Sequence, residues 1–367
     1  MKKSLLIQVV VFSFFSCSIA QTEPSNYNIA QDLNDGLEIT NPASVGINED
    51  SLFAIFDLIN FTPPHNDYRA LVIIKDGKLV VDEYFNSFGT TNINDIRSAG
   101  KSITSMLAGI AIKKGLFKPT DKVFSFFPEY KNIKNQSKEK SEITIADLLI
   151  MSSGLASDDY KDDSPGREGL MSNENDYLKF CLDLPMDFKS GEKYAYSSVV
   201  AYLLGSVIEN TSKMNLEDFA RKHLFGPLKI NQFFWLKSPE GRNTGMGNIY
   251  LAGRDLAKLG QVMLNNGKWN NQQIIPVEYV KKSFEKHFDI SDSDPFAQGY
   301  GYMWYIAKEK INGKEIDFYF ASGNGGNKIF VIPSLNMVVA TLSSAYGQGR
   351  GQHRSHIILK KVLEATK

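Results

Sequence analysis

Ser98 and Lys101 are the first pair in this chain whose types and spacing could do chemistry. They open the stretch Ser98-Ala99-Gly100-Lys101-Ser102-Ile103-Thr104-Ser105-Met106-Leu107-Ala108-Gly109-Ile110-Ala111. Its apolar residues Ile103, Met106, Leu107 and Ile110 repeat as one buried helical face does. On such a helix two residues three apart are neighbours, about 5–6 Å apart at Cβ. A lysine held away from water has its ammonium form disfavoured, so its pKa falls and it can carry a proton. A serine beside it can then be activated as a nucleophile. The same Ser-x-x-Lys spacing recurs at Ser137/Lys140, Ser190/Lys193 and Ser283/Lys286. Those three lie in charged or turn-rich sequence and read as solvated. Only Ser98/Lys101 opens an apolar, small-residue helix, which Lys113-Lys114-Gly115 ends with cations at the negative end of the dipole.

A partner for the serine must come from elsewhere. The five histidines, His65, His223, His287, His353 and His356, stand in no nucleophile-partner context, and no Gly-x-Ser-x-Gly elbow occurs. Tyr196 is the candidate. It immediately precedes a helix with Val200, Leu203, Leu204 and Val207 on its buried face, and a lysine cation nearby would lower its phenol pKa and make it a base. Tyr194 is a near rival. Tyr84-Phe85-Asn86 and Tyr130-Lys131-Asn132 share the triplet pattern, but lie in a strand and in a polar segment. Late in the chain, Ala321-Ser322-Gly323-Asn324-Gly325-Gly326 precedes a strand. Its glycines let a substrate or a helix approach the backbone, and its N–H groups could complete an oxyanion hole with that of Ser98.

These residues must be positioned by two kinds of structure. Arg69–Ile74 and Lys78–Tyr84 are β-rich runs joined by Lys75-Asp76-Gly77, a strong hairpin signal. Strands return at Tyr300–Ala307, Glu315–Phe320, Lys328–Ile332 and Met337–Leu342. Helices are expected at Ser44–Asn60, from Ser98, at Thr144–Met151, Asn175–Leu182, Ser197–Glu209, Leu216–Leu224, Arg254–Asn265 and His353–Ala365. Short turns between consecutive strands force antiparallel pairing. The expected architecture is therefore α+β: one antiparallel sheet built from both chain ends and flanked by helices, with an all-helical domain inserted. In numbers, residues 44–118 and 240–367 form the sheet domain and 119–239 the helical one, with a cleft between them as the natural site.

The 367 residues are 43% hydrophobic and 12% aromatic, enough for one large or two modest cores. The 41 basic and 41 acidic residues balance, and no basic stripe appears, which argues against a nucleic-acid partner. Residues 1–20 read as a signal peptide: Met1-Lys2-Lys3, an apolar run from Leu5 to Phe15, and Ser18-Ile19-Ala20 as cleavage site. The run is too short for a membrane span, and no later stretch spans. A periplasmic or secreted chain starting near Gln21 follows, with lipid attachment at Cys17 as the alternative and residues 21–43 as a flexible lead-in. Cys181 is the one other cysteine, and no Cys/His cluster has metal spacing, so no metal or other cofactor is implied.

Taken together, Ile96-Arg97-Ser98-Ala99-Gly100-Lys101-Ser102, Ile145-Ala146-Asp147-Leu148-Leu149 through Ser153-Gly154-Leu155, Tyr196-Ser197-Ser198, Leu251-Ala252-Gly253-Arg254-Asp255-Leu256-Ala257 and Ala321-Ser322-Gly323 resemble the serine β-lactamase and penicillin-binding protein superfamily. The likeness is nearest to the class C β-lactamase-like branch with family VIII esterases and 6-aminohexanoate-dimer hydrolases. The resemblance implies a β-lactamase/transpeptidase-like fold and an acyl-enzyme on Ser98. It further implies catalysis by Ser98, Lys101 and Tyr196, with Ser98, Asn324, Gly323, Ser322 and Ser198 holding the oxyanion and substrate. Two positions depart from the pattern. Ala321 stands for the usual Lys or His, and Ser198 for the usual Asn. Loss of a charge-assisted hydrogen bond costs about 1.5–3 kcal/mol, which weakens the β-lactamase and D,D-peptidase readings. The expectation is an exported hydrolase of a small or peptide-like ester or amide. The alternatives are a β-lactamase or D,D-peptidase, or a catalytically silent relative that binds cell-wall peptides.

Overall fold

The Asp76-Gly77 signal marks the first turn of the main sheet. In the computed structural model, which describes residues 30–367, both residues have positive φ and join β2 (Tyr68–Lys75) to β3 (Lys78–Tyr84). The sheet has eight strands. The others are β1 (Glu38–Ile39), β4 (Gly299–Tyr300), β5 (Tyr305–Ile311), β6 (Lys314–Gly323), β7 (Asn327–Ile332) and β8 (Met337–Ser343), in the order β1-β3-β2-β8-β7-β6-β5-β4. Residues near both chain ends thus meet at the β2–β8 pair, where Val339 faces Ile73 and Ala340 faces Val72. Between β3 and β4 the chain adds no strand to this sheet.

Three expectations need correcting. The sheet is not wholly antiparallel, because β1 runs parallel to β3 along its edge. Residues 30–43 are not a loose lead-in. Beyond the β1 pairing, Asp35 meets the buried Arg254 at 2.9 Å and the buried Lys258 at 3.1 Å, and Arg254 reaches Asp82 on β3 at 2.9 Å. Breaking one partner of such a buried pair costs about 3–5 kcal/mol, so this segment is pinned by charge. The strand expected at Tyr300–Ala307 is broken: Met303 has φ 58°, and β5 begins only at Tyr305. The proposed signal peptide and Cys17 lie outside the described residues.

The helices fall close to their expected places. Among them are α1 (Glu49–Phe61), α2 (Ala99–Lys113), α3 (Ile145–Leu149), α4 (Ser198–Ser212), α5 (Gly253–Leu264) and α6 (Gly349–Ala365). Thr144 and Asp147 cap α3 reciprocally, a capping box that the Thr-x-x-Asp spacing encodes. α5 lies on β8, β7 and β2, while α6 packs on β7, β5 and α1. α2 is buried on every side from Ala99 to Ala111, which its apolar spacing alone does not require. The small residues allow it: a Cβ on Gly109 would come within 2.7 Å of the Tyr279 ring. The polar residues of α2 are satisfied by neighbouring backbone, Thr104 donating to the Gly245 carbonyl at 2.6 Å and Ser105 to that of Tyr302 at 2.7 Å. No helix among the described residues is long and apolar enough to cross a membrane.

Candidate active site

Ser98 sits on the turn entering α2. Asn94–Asp95 pairs with Ile249–Leu251, the Arg97 backbone takes a left-handed conformation with φ 51°, and Ser98 begins the helical path. Lys101, one turn on, is buried, with Nζ 3.1 Å from Ser98 Oγ and 2.9 Å from the Met246 carbonyl. Burial lowers its pKa, opposed by the more distant Glu168 and Asp159 carboxylates. The spacing therefore does what the sequence suggested: a lysine in poor solvent beside a serine hydroxyl.

Tyr196 joins them. Lys101 Nζ lies 5.0 Å from the centre of its ring, and its hydroxyl interacts with Ser98. The expected direction of its titration is reversed, however. Burial raises the phenol pKa, and its hydrogen bond to Ser98 only partly offsets this. Burial thus pushes the two groups in opposite directions, Lys101 towards its neutral amine and Tyr196 towards its protonated phenol. Tyr194 packs on Tyr300, ring centres 5.0 Å apart, and does not border the cleft that holds Ser98.

That cleft, about 440 Å³, is bordered by Ser98, Tyr196, Tyr160, Ser322, Asn324 and Lys328 among others, and by no histidine. Ser322 and Asn324 are at the end of β6 and in the turn to β7. Gly323 lies between them because nothing larger fits: a Cβ there would stand 1.9 Å from the Ile96 carbonyl oxygen. The turn is tied to the serine segment by buried amides, Asn94 donating to Asn327 Oδ1 at 3.0 Å and Asn327 donating to the Asn324 carbonyl at 2.9 Å. Among the described residues the backbone N–H groups of Ser98 and Asn324 have no acceptor. Ser198 is set apart from the cleft. Its hydroxyl donates to Glu168 at 2.7 Å and its N–H to Asp159 at 2.6 Å, so it anchors the charged 158–167 loop. The loop brings Tyr160 over Tyr196, stacked with ring centres 5.1 Å apart. Among the described residues no group of acidic, histidine and cysteine side chains could hold a metal ion.

Two lysines differ from expectation. Lys140 is buried rather than solvated; its ammonium donates to the carbonyls of Lys134 and Leu184 at 3.0 and 2.6 Å, and burial lowers its pKa to about 8. Ser137 only caps the short helix there, accepting from Lys140 N. Lys328, expected only as the first residue of a strand, borders the cleft and donates to Ser322 Oγ at 2.7 Å. A lysine side chain thus reaches the cleft from the next strand, where Ala321 supplies none. The Gly325-Gly326 turn was the available signal. Counting back from it pairs Gly323 with Asn327 and Ser322 with Lys328, which puts both side chains on one face.

With this geometry in view, comparison with known proteins is informative. A family profile described as Beta-lactamase matches residues 69–362. An N-acetylmuramyl-L-alanine amidase of Bacillus subtilis is 22% identical over 340 residues, covering 75% of this chain and 76% of the relative. A Bacillus anthracis protein provisionally named as a 6-aminohexanoate-dimer hydrolase superposes with a TM-score of 0.69 at 17% identity, over 92% of this chain and 89% of that one. A family VIII carboxylesterase superposes with a TM-score of 0.65 at 15% identity, over 86% and 99%. At these identities the superpositions establish the fold, which is that of the β-lactamases and transpeptidases.

Proposed function

The chain belongs to the beta-lactamase family, and from that premise we propose that it is an exported serine hydrolase cleaving an ester or amide through an acyl-enzyme on Ser98. The observation that carries the reading is the 3.1 Å approach of Lys101 Nζ to Ser98 Oγ where burial disfavours the ammonium. Neutral Lys101 takes the serine proton as Oγ bonds to the substrate carbonyl carbon. The oxyanion so formed is held by the N–H groups of Ser98 and Asn324. Tyr196, protonated, gives its proton to the leaving oxygen or nitrogen as that bond breaks, and the Lys101 ammonium restores the phenol. Water then attacks the acyl carbon, losing its proton to the same pair, and Ser98 leaves as the hydroxyl. Ser322, bordering the cleft, binds substrate, and Gly323 keeps the strand close enough for Asn324 to face Ser98.

The test is turnover of a short-chain nitrophenyl ester. Hydrolysis that falls at least about 10³-fold in Ser98→Ala supports the reading; undiminished hydrolysis in that variant ends it. Export rests on residues 1–20 and is checked separately: protein recovered from the periplasm or medium should begin near Gln21.

A further inference from the structure

Tyr196 belongs to a group of packed tyrosine rings. Tyr160 stacks on it, Tyr194 meets Tyr300 with ring centres 5.0 Å apart, and Tyr300 meets Tyr305 edge to face at 4.9 Å. Tyr160, Tyr196 and Tyr305 border the cleft that holds Ser98, whereas Tyr194 and Tyr300 do not. Tyr305 is fixed by the sheet. Its backbone pairs with Tyr300 on β4 and with Phe320 on β6, and its buried ring stacks on Phe320 with centres 4.9 Å apart and planes 15° apart. Tyr160, by contrast, is 57% exposed and carried by the 158–167 loop. The Tyr305 hydroxyl is hydrogen-bonded to those of Tyr196 and Tyr160, while the buried hydroxyl of Tyr194 has no partner among the described residues.

A phenol has one proton to give, and its oxygen can also accept. If Tyr196 is to point its proton at Ser98 and the leaving atom, its oxygen must take its other hydrogen bond as an acceptor. Tyr305 stands where it can supply that bond. The need is greatest when Tyr196 has parted with its proton and Lys101 has not yet returned one. Burial then disfavours the phenolate, and a hydrogen bond to the charged form favours it. We propose that Tyr305 is a positioning residue for the reaction: its O–H donates to the Tyr196 oxygen, aims the Tyr196 proton into the cleft, and holds the phenolate as the leaving group departs. Tyr305 keeps its own proton throughout, so no covalent bond forms or breaks at it. Tyr160, which meets the Tyr305 hydroxyl, acts one step further out. This inference rests on the acyl-enzyme reading for the role of Tyr196, but the hydrogen bond itself is tested without turnover.

Tyr305→Phe removes the hydroxyl and keeps the ring on Phe320. Tyr194→Phe removes a hydroxyl from the same group of rings and serves as the control. Both are made in Ser98→Ala protein carrying 3,5-difluorotyrosine at position 196, whose fluorines lower the phenol pKa and report its titration by fluorine NMR. The expected result is a midpoint higher by about one pH unit in Tyr305→Phe, a tenfold shift in the equilibrium, and unchanged in Tyr194→Phe. An unchanged midpoint in Tyr305→Phe overturns the proposal, as does an equal shift in Tyr194→Phe. In the otherwise unaltered enzyme, Tyr305→Phe should lower kcat for an alkyl ester about tenfold with little change in KM, and for a nitrophenyl ester by less. In the Tyr196→Phe background it should cost nothing further, and a full second loss there overturns the role. If the midpoint shifts but no turnover depends on Ser98, the hydrogen bond stands and the hydrolase reading falls.

Discussion

Ser98/Lys101 and Ser137/Lys140 have the same types at the same spacing, and both lysines are buried with lowered pKa. They differ in what surrounds them. Ser137 spends its oxygen as a helix cap, and Lys140 gives its protons to two carbonyls. Ser98 caps nothing, and it borders a cavity with Tyr196. A depressed lysine is thus not by itself a mark of chemistry. What distinguishes the first pair is a hydroxyl without structural duty, facing a space a substrate can enter.

The largest contrast is expected when the lysines are removed. Lys101→Met should lower kcat/KM for a nitrophenyl ester by about 10²–10⁴-fold, the range for a general base, while Lys140→Met should leave it within a few-fold; equal losses would dissolve the comparison. The pH dependence sharpens it. The proposed mechanism needs neutral Lys101, so kcat/KM should rise with pH through a value below the ordinary 10.5 of lysine. For Lys140 the readout is stability. Its folded pKa of about 8 lies below the unfolded 10.5, so the unfolded chain binds more protons and stability rises with pH across that window. Melting curves of Lys140→Met should lack that part of the rise.

An intermediate effect belongs to the tyrosine. Tyr196→Phe keeps the ring over Lys101 and against Tyr160 but removes the proton that the proposed mechanism gives to the leaving group. A fall of about 10²-fold is expected, smaller for a nitrophenolate, which needs little protonation, than for an alkyl ester or amide. Equal losses on both substrates would remove Tyr196 from the proton path. The smallest effect is at the cap: Ser137→Ala should cost about 1 kcal/mol of stability by denaturant titration and leave turnover unchanged.

Local periodicity explains what the sequence disclosed. The α2 helix, the Asp76-Gly77 hairpin and the nearness of Ser98 to Lys101 each follow from spacing within one element, and Tyr196 from its place at the head of α4. What stayed hidden depends on contacts between distant segments. Lys328 reaches the cleft through strand register, and β1 joins the sheet in parallel through a segment pinned by Arg254. Lys140 is buried by carbonyls from two loops. Ser198 looked like a substrate residue because it occupies a motif position, but Glu168 and Asp159 claim it for the 158–167 loop. The titration of Tyr196 could not be read from neighbours in sequence, since burial of both it and Lys101 decides it.

The claim on which the account turns is that one serine among many carries the acyl group. Wild-type protein is treated with a fluorophosphonate serine probe, digested, and mapped by mass spectrometry. The account predicts a single adduct on the peptide holding Ser98, with Ser137 and Ser322 unmodified. An adduct on another residue, or none in a preparation that still hydrolyses esters, would contradict it.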